Sequence, residues 1–143
     1  LLVLAPRHDE RTPEVAAILQ KQEICFIRRT QISEKPEEAS RADCVLVDTT
    51  GELRAWYEAA TLIVIGNSLV GHKGGHNIIE AAVTGHPVLF GPNMQDWQRI
   101  AEDFVTAGAA IQASTTEELA MRMEELLADP AQRALVGERA REL

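Results

Sequence analysis

The sequence predicts an α/β fold: a doubly wound domain with a mostly parallel, six-stranded sheet and helices on both faces. Three observations carry this expectation. Short apolar runs alternate with segments of helical periodicity along the chain. Most of those runs are continuous rather than alternating, the pattern of strands covered on both faces. The chain's 143 residues are enough for one such core and not for two, so residues 1–143 read as a single domain. Right-handed crossovers between parallel strands then place helices on both sides of the sheet.

The elements follow in order. Residues 1–5 form an apolar run stopped by Pro6. Thr12-Pro13 reads as an N-cap followed by proline at the first helical position, with Val15, Ala16, Ile18 and Leu19 at helical spacing behind it. Residues 24–27 are β-branched and aromatic and give a second strand. Residues 31–41 carry Ser, Glu, Lys and Pro without apolar period and read as a surface loop. A third strand covers 44–47 and ends at Asp48, a short helix 53–60, and a fourth strand 62–65, ending at Gly66. Beyond a glycine-rich loop come a helix over 77–84 closed by Gly85, a strand over 87–90, a helix over 97–106 closed by Gly108, and a sixth strand over 109–111. Two helices finish the chain. The first opens at Thr115 with Glu118 at capping-box spacing, and the second opens at Pro130.

Composition narrows the function classes. With 45% hydrophobic and 25% charged residues the chain suits a soluble globular domain rather than disorder. No apolar run approaches the roughly 20 residues of a membrane-spanning helix. Fourteen Lys and Arg against twenty-two Asp and Glu give a net charge of −8, which argues against a nucleic-acid surface. Cys25 and Cys44 stand in separate apolar runs; they make neither a disulfide framework nor a metal box and fit a reducing compartment. The first apolar run starts at Leu1 without an initiator Met, so the chain reads as a piece of a larger protein.

Open parallel sheets bind ligands beyond the carboxyl ends of their strands. Here those positions hold Pro6-Arg7-His8, Asp48-Thr49-Thr50-Gly51-Glu52, a loop from Asn67 with Gly71, Gly74 and Gly75, and Gly91-Pro92-Asn93. In Gly74-Gly75-His76-Asn77-Ile78-Ile79-Glu80, two glycines let backbone N–H groups approach an anion, and a helix starting at His76 or Asn77 points its positive end the same way. That is the chemistry of a phosphate cradle. Glu80 lies three and four residues after Asn77 and His76, so a carboxylate suited to a ribose diol sits one turn away. The alternative is a glycine turn before a surface helix with a solvated glutamate. Neither the G-x-G-x-x-G nor the P-loop spacing is present.

Thr49 and Glu52 fit an ordinary capping box, yet Thr50 and Gly51 would still present helix-start N–H groups to a base or sugar. Arg7 stands alone after the first strand; such residues are commonly solvated, but its planar fork suits phosphate or carboxylate. His72 and His76 are four apart with Lys73-Gly74-Gly75 between them, and no further ligand completes a metal site. Trp97 is expected to hold the following helix against the sheet. No Ser-His-Asp or Cys-His arrangement is supported.

Arg7-His8 with Arg11, Asp48-Thr49-Thr50-Gly51-Glu52-Leu53, Gly66-Asn67-Ser68-Leu69, Gly74-Gly75-His76-Asn77 with Glu80, and Pro87 to Pro92 together resemble the C-terminal half of the 3-deoxy-D-manno-octulosonic acid (Kdo) transferases of lipopolysaccharide assembly. Order and spacing match from the first strand to the sixth. The resemblance implies a GT-B glycosyltransferase of two Rossmann-like domains that moves Kdo from CMP-Kdo to lipid A precursor with no metal or other cofactor. This chain would be the donor domain, binding CMP-Kdo without catalysing. The general base and the acceptor surface would lie in an N-terminal domain that the chain lacks, so no catalytic residue is expected here. By residue, the resemblance gives Arg7 to the anionic part of the donor, and Thr50, Gly51 and Glu52 to a loop beside the nucleotide. It gives Gly75, His76 and Asn77 to the phosphate end and Glu80 to the ribose, with Gly74 in the same motif. Lys73, with His72 a departure from the family pattern, would add a cation at the phosphate. It implies a parent enzyme on the cytoplasmic side of the bacterial inner membrane, peripheral or N-terminally anchored, with this piece soluble.

The chain departs from the family pattern in having Ile78-Ile79 for Pro-Leu, Asn67 for a second glycine, and Thr50 where Met is frequent. Two other readings remain open. The same fold and cradle serve UDP-sugar enzymes. A non-catalytic α/β regulatory module would use Asp48 as an acidic residue after a strand, although Pro6-Arg7-His8 occupies the place of the acidic pair such a site needs.

Overall fold

The computed structural model describes residues 1–69, 71 and 74–143. His72 and Lys73, and with them the expected cation at residue 73, lie outside the described residues. The chain divides into two compact units, Leu1–Trp56 and Tyr57–Leu143.

In the first unit, strands β1 (Leu2–Leu4), β2 (Phe26–Arg28) and β3 (Cys44–Leu46) form a parallel sheet in the order β1-β3-β2. Cys44 stands opposite both Leu2 and Phe26. The central strand shows why a continuous apolar run marks two-sided cover. Side chains alternate along a strand, so Cys44 and Leu46 join Ala16 and Leu19 of helix α1 (Thr12–Lys21), while Val45 and Val47 meet Ile27, Ile32, Ala39 and Trp56. Burial pushes the Cys44 thiol above its ordinary value, against a smaller opposing hydrogen bond to the Leu4 backbone. Cys25 is exposed.

Two expectations for this unit need correction. The stretch read as a surface loop, 31–41, contains helix α2 (Pro36–Ala39), and Ile32 and Ala39 pack on the sheet. A single turn is too short to show a helical period. Thr12 lies inside α1 rather than capping it, because a 3-10 turn over Asp9–Arg11 runs straight into the helix. Thr12 is buried, and its hydroxyl has no hydrogen-bond partner among the described residues.

After helix α3 (Leu53–Glu58), which reaches into the second unit, strands β4 (Ile63–Val64), β5 (Val88–Phe90) and β6 (Ile111–Gln112) form another parallel sheet in the order β4-β5-β6. Val88 and Phe90 of the central strand join a core with Ile63, Ile78 and Ala81, the last on helix α4 (Ile79–Ala82), and with Phe104 on α5 (Gln98–Thr106). Leu89 faces Ala113 and the Leu119 and Leu126 side chains of α6 (Thr116–Ala128). Trp97 packs against the first of these clusters, as expected, from a 3-10 turn over Gln95–Trp97 that precedes α5. Helix α7 (Pro130–Glu142) comes close enough to the turn after α4 that a Cβ at Gly137 would strike the Gly85 carbonyl.

Both C-terminal helix starts are as the local patterns require. Thr115 Oγ accepts from the Glu118 N–H at 3.1 Å as an N-cap, and the Glu118 carboxylate reaches one residue beyond the capping-box position, to the Ser114 N–H at 2.8 Å. Asp129 accepts from the Gln132 N–H at 3.0 Å, with Pro130 at the first helical position.

The α/β class and the parallel pairing agree with expectation; the single six-stranded sheet does not. The described ladders form two three-stranded sheets. The strands are two or three residues long, and an apolar run records that a strand is covered without recording which strand lies beside it.

Candidate functional site

In the first unit the rim is built from residues following all three strands. Arg7, after β1, is exposed. Asp48, after β3, accepts from the Thr30 N–H at 3.0 Å and from the Thr30 hydroxyl at 2.7 Å. Burial works against ionising this carboxyl. The two Thr30 hydrogen bonds, its own backbone N–H and the Arg28 charge outweigh that and hold it below its ordinary value.

Four residues on, Glu52 accepts a two-pronged grip from Arg29. Nη2 meets Oε1 at 3.1 Å and Nε meets Oε2 at 3.1 Å, with the two side chains 34% and 35% exposed. The Thr49 hydroxyl also donates to Glu52 Oε2, at 2.7 Å. Thr49 and Glu52 thus meet side chain to side chain, where a capping box has each side chain reach the other's backbone. Between these anchored ends Thr50 and Gly51 are exposed, and Gly51 has φ +82°, a conformation that suits glycine.

In the second unit Gly74 and Gly75 are buried, with φ of +105° and +62°. A Cβ on Gly75 would collide with the Met94 sulfur, and one on Gly74 would lie 2.6 Å from an Asp96 carboxylate oxygen. Both glycine N–H groups have partners within the chain: Gly75 donates to the Asn67 carbonyl at 3.2 Å and Gly74 to the Gln95 side chain at 3.0 Å. The glycines therefore supply a sharp reversal of the chain just ahead of His76 and Asn77. Helix α4 begins at Ile79, later than the expected start at His76 or Asn77, and its single turn carries little of a macrodipole.

Asn77 takes over the helix start. Its Oδ1 accepts from the Ile79 N–H at 3.0 Å and its Nδ2 donates to Glu80 Oε1 at 3.1 Å. Glu80 is exposed. Burial, and then the Glu80 charge, push the Tyr57 phenol above its ordinary value. The expected residues thus fall into two groups, each within its own unit: Arg7, Thr50, Gly51 and Glu52 in the first, and Gly74 to Asn77 with Glu80 in the second.

Several residues named in the sequence had been given no structural role. Ser68 is fully buried; its hydroxyl donates to the Ile65 carbonyl at 2.7 Å and accepts from the Gly91 N–H at 2.9 Å. Its carbonyl accepts from the Asn93 N–H at 2.9 Å, and the Asn93 side chain donates to the Leu69 carbonyl at 2.9 Å. A Cβ at Gly91 would strike the Ser68 carbonyl. The ends of β4 and β5 are locked together this way, and the available signal was a small residue after each of two successive strands. Beside this lock a cavity of about 280 Å³ is lined by Pro92, Met94, Gln95, Gln98, Glu102 and Gln112.

Among the described residues no group of three or more His, Cys, Asp or Glu side chains is placed to hold a metal ion. No described helix is long and apolar enough to cross a membrane.

No family model matches the chain. It is 38% identical over 141 residues to a 3-deoxy-D-manno-octulosonic acid transferase from Bordetella pertussis, covering 99% of this chain and 32% of that protein. It is 35% identical over 138 residues to one from Haemophilus influenzae, covering 96% of this chain and 31% of that protein. The chain therefore spans about a third of the length of these curated relatives. The fold matches the crystal structure of the C-terminal CMP-Kdo binding domain of WaaA from Acinetobacter baumannii with a TM-score of 0.86 and 28% identity, over 98% of this chain and 71% of that one. By sequence over nearly its whole length and by fold, the chain belongs with the C-terminal part of the 3-deoxy-D-manno-octulosonic acid transferases.

Proposed function

We propose that this chain is the donor-binding domain of a glycosyltransferase that moves Kdo from CMP-Kdo to lipid A precursor in lipopolysaccharide biosynthesis. The observation that carries the reading is the match, over 98% of the chain, to a solved CMP-Kdo binding domain. The rim residues support it. Thr50 and Gly51 stand exposed on a loop anchored at both ends, suited to the edge of a nucleotide. Gly74 and Gly75 turn the chain so that His76 and Asn77 face the phosphate end, and Arg7 offers its fork to an anionic group. Glu80, with one oxygen held by Asn77, presents the other to a ribose hydroxyl. The cavity lined by Gln95, Gln98 and Gln112 suits the sugar, because amide groups both donate to and accept from hydroxyls.

In the parent enzyme a carboxylate of the N-terminal domain removes the acceptor proton, while this domain holds the leaving CMP through the turn at His76 and Asn77. The reaction as proposed uses no metal. The lipid acceptor places the parent on the cytoplasmic face of the bacterial inner membrane, and the donor domain contacts nucleotide sugar rather than nucleic acid.

The test is an NMR titration with CMP, UMP and UDP at matched concentrations, following amides around Gly51, Gly75, Asn77 and Glu80. Saturable shifts with CMP alone are expected. An equal response to UDP would reassign the donor, and no response to any nucleotide in the folded chain would overturn the reading.

A further inference from the structure

The carboxylate of Glu52 raises a difficulty for an anionic donor. An uncompensated negative charge on the loop that carries Thr50 and Gly51 would repel phosphate and carboxylate groups seated nearby, and the chain as a whole is already acidic. The structure resolves this locally. Arg29 donates from Nη2 to Glu52 Oε1 at 3.1 Å and brings Nε within 3.1 Å of Oε2 as an ion pair, and the Thr49 hydroxyl adds a second hydrogen bond, to Oε2. Two hydrogen bonds and an ion pair, from two segments, hold that group. The neighbouring residue Thr30 repeats the device on Asp48 through its N–H and its hydroxyl. Two consecutive residues after β2 thus clasp both ends of the loop after β3.

We propose that Arg29 is a positioning residue for donor binding: acting through Glu52, it holds the Thr49–Gly51 segment in its binding shape and cancels a charge that would otherwise repel an anionic nucleotide. This rests on the donor-binding reading above. Arg29 has no contact with the nucleotide in this role. Neutralising Glu52 as well should therefore remove the need for it, and a lysine should serve only in part, since it keeps the charge and loses the fork.

The experiment measures CMP affinity of the 143-residue chain with Arg29→Gln, Arg29→Lys, Glu52→Gln and the double variant Arg29→Gln/Glu52→Gln, each checked for an unchanged amide spectrum away from the loop. Arg29→Gln is expected to bind about tenfold more weakly, Arg29→Lys to lie in between, and the double variant to recover most of the loss. A double variant as weak as Arg29→Gln would show that Arg29 does not act by cancelling the Glu52 charge and would overturn the proposal, as would an Arg29→Gln chain of unchanged affinity. The wild-type titration is read first. If it shows no nucleotide binding, the donor reading fails separately. The clasp is then judged on backbone order parameters of Thr50 and Gly51, which should fall in Arg29→Gln and be largely kept in Arg29→Lys; unchanged values overturn it.

Discussion

Asn77 holds Glu80 in place: its Nδ2 donates to Oε1 at 3.1 Å while its Oδ1 accepts from the Ile79 N–H at 3.0 Å. One amide thus starts a helix and orients the carboxylate one turn along it. Glu80→Ala is expected to leave the melting temperature nearly unchanged, since the side chain is exposed, and to weaken CMP binding. Asn77→Ala should do both, costing about 1 kcal/mol for the lost hydrogen bond from the Ile79 N–H and releasing Glu80. Thermal melts paired with the nucleotide titration separate the two. Unchanged affinity in a folded Glu80→Ala chain would remove Glu80 from the site.

Tyr57 reports on the same carboxylate. The chain has one tyrosine, so its ionisation can be followed without ambiguity by ultraviolet absorbance. Burial is the larger cause of its raised value and the Glu80 charge the smaller. Glu80→Gln should lower the phenol's titration midpoint while leaving it above the ordinary tyrosine value. A midpoint that does not move would place the two groups beyond electrostatic reach.

Ser68→Ala is expected to destabilise the second unit by about 1–3 kcal/mol, because the Gly91 N–H would be left buried without an acceptor. Gly91→Ala should cost more, since its Cβ meets the backbone carbonyl of Ser68 rather than the end of a movable side chain. Chemical denaturation of both variants checks the order. A milder effect for Gly91→Ala would mean the two strand ends separate easily.

What could be read in advance was local. The run Val88–Phe90 announced a strand covered on both sides, and Thr115 with Glu118 announced a helix start, because each depends on neighbours a few residues away. The glycine turn and the nearness of Glu80 to Asn77 were legible for the same reason, but a cradle of free glycine N–H groups was not found, because both donate within the chain. Contacts formed between distant segments were not. Thr30 and Asp48 are 18 residues apart, Arg29 and Glu52 are 23 apart, and Gln95 reaches Gly74 across 21. Nothing in the spacing of these residues marks them as partners. The division into two three-stranded sheets was hidden likewise, since it depends on which strands lie side by side.

Asp48 gives the first unit an acid-sensitive contribution. Its folded value lies below its ordinary one, so folding favours the ionised form. The contribution is complete above the ordinary aspartate value and is lost as pH falls through the folded one. Denaturant midpoints of the wild type and Asp48→Asn, measured from neutral pH downward, should therefore differ most at neutral pH and converge in acid. A gap that is constant with pH would mean that the hydrogen bonds from Thr30 do not depend on charge.

Thr12 should tolerate loss of its hydroxyl. The group is buried with no partner among the described residues, so Thr12→Val removes an unsatisfied polar atom at nearly constant shape. A stability equal to the wild type or higher by about 1 kcal/mol is expected from denaturation. A clear loss would reveal a hydrogen bond made by that oxygen in solution.

The lock between Ser68 and Gly91 also bears on how this rim can be altered. Position 91 admits no side chain, and position 68 needs a small group with a hydroxyl, whereas their neighbours Asn67 and Pro92 are exposed. A library built to change ligand preference can therefore vary Pro92 widely, while Asn67, at φ +58°, admits only residues that tolerate the left-handed backbone. Keeping Ser68 and Gly91 as an invariant pair would let the variants differ in what they recognise while sharing one frame.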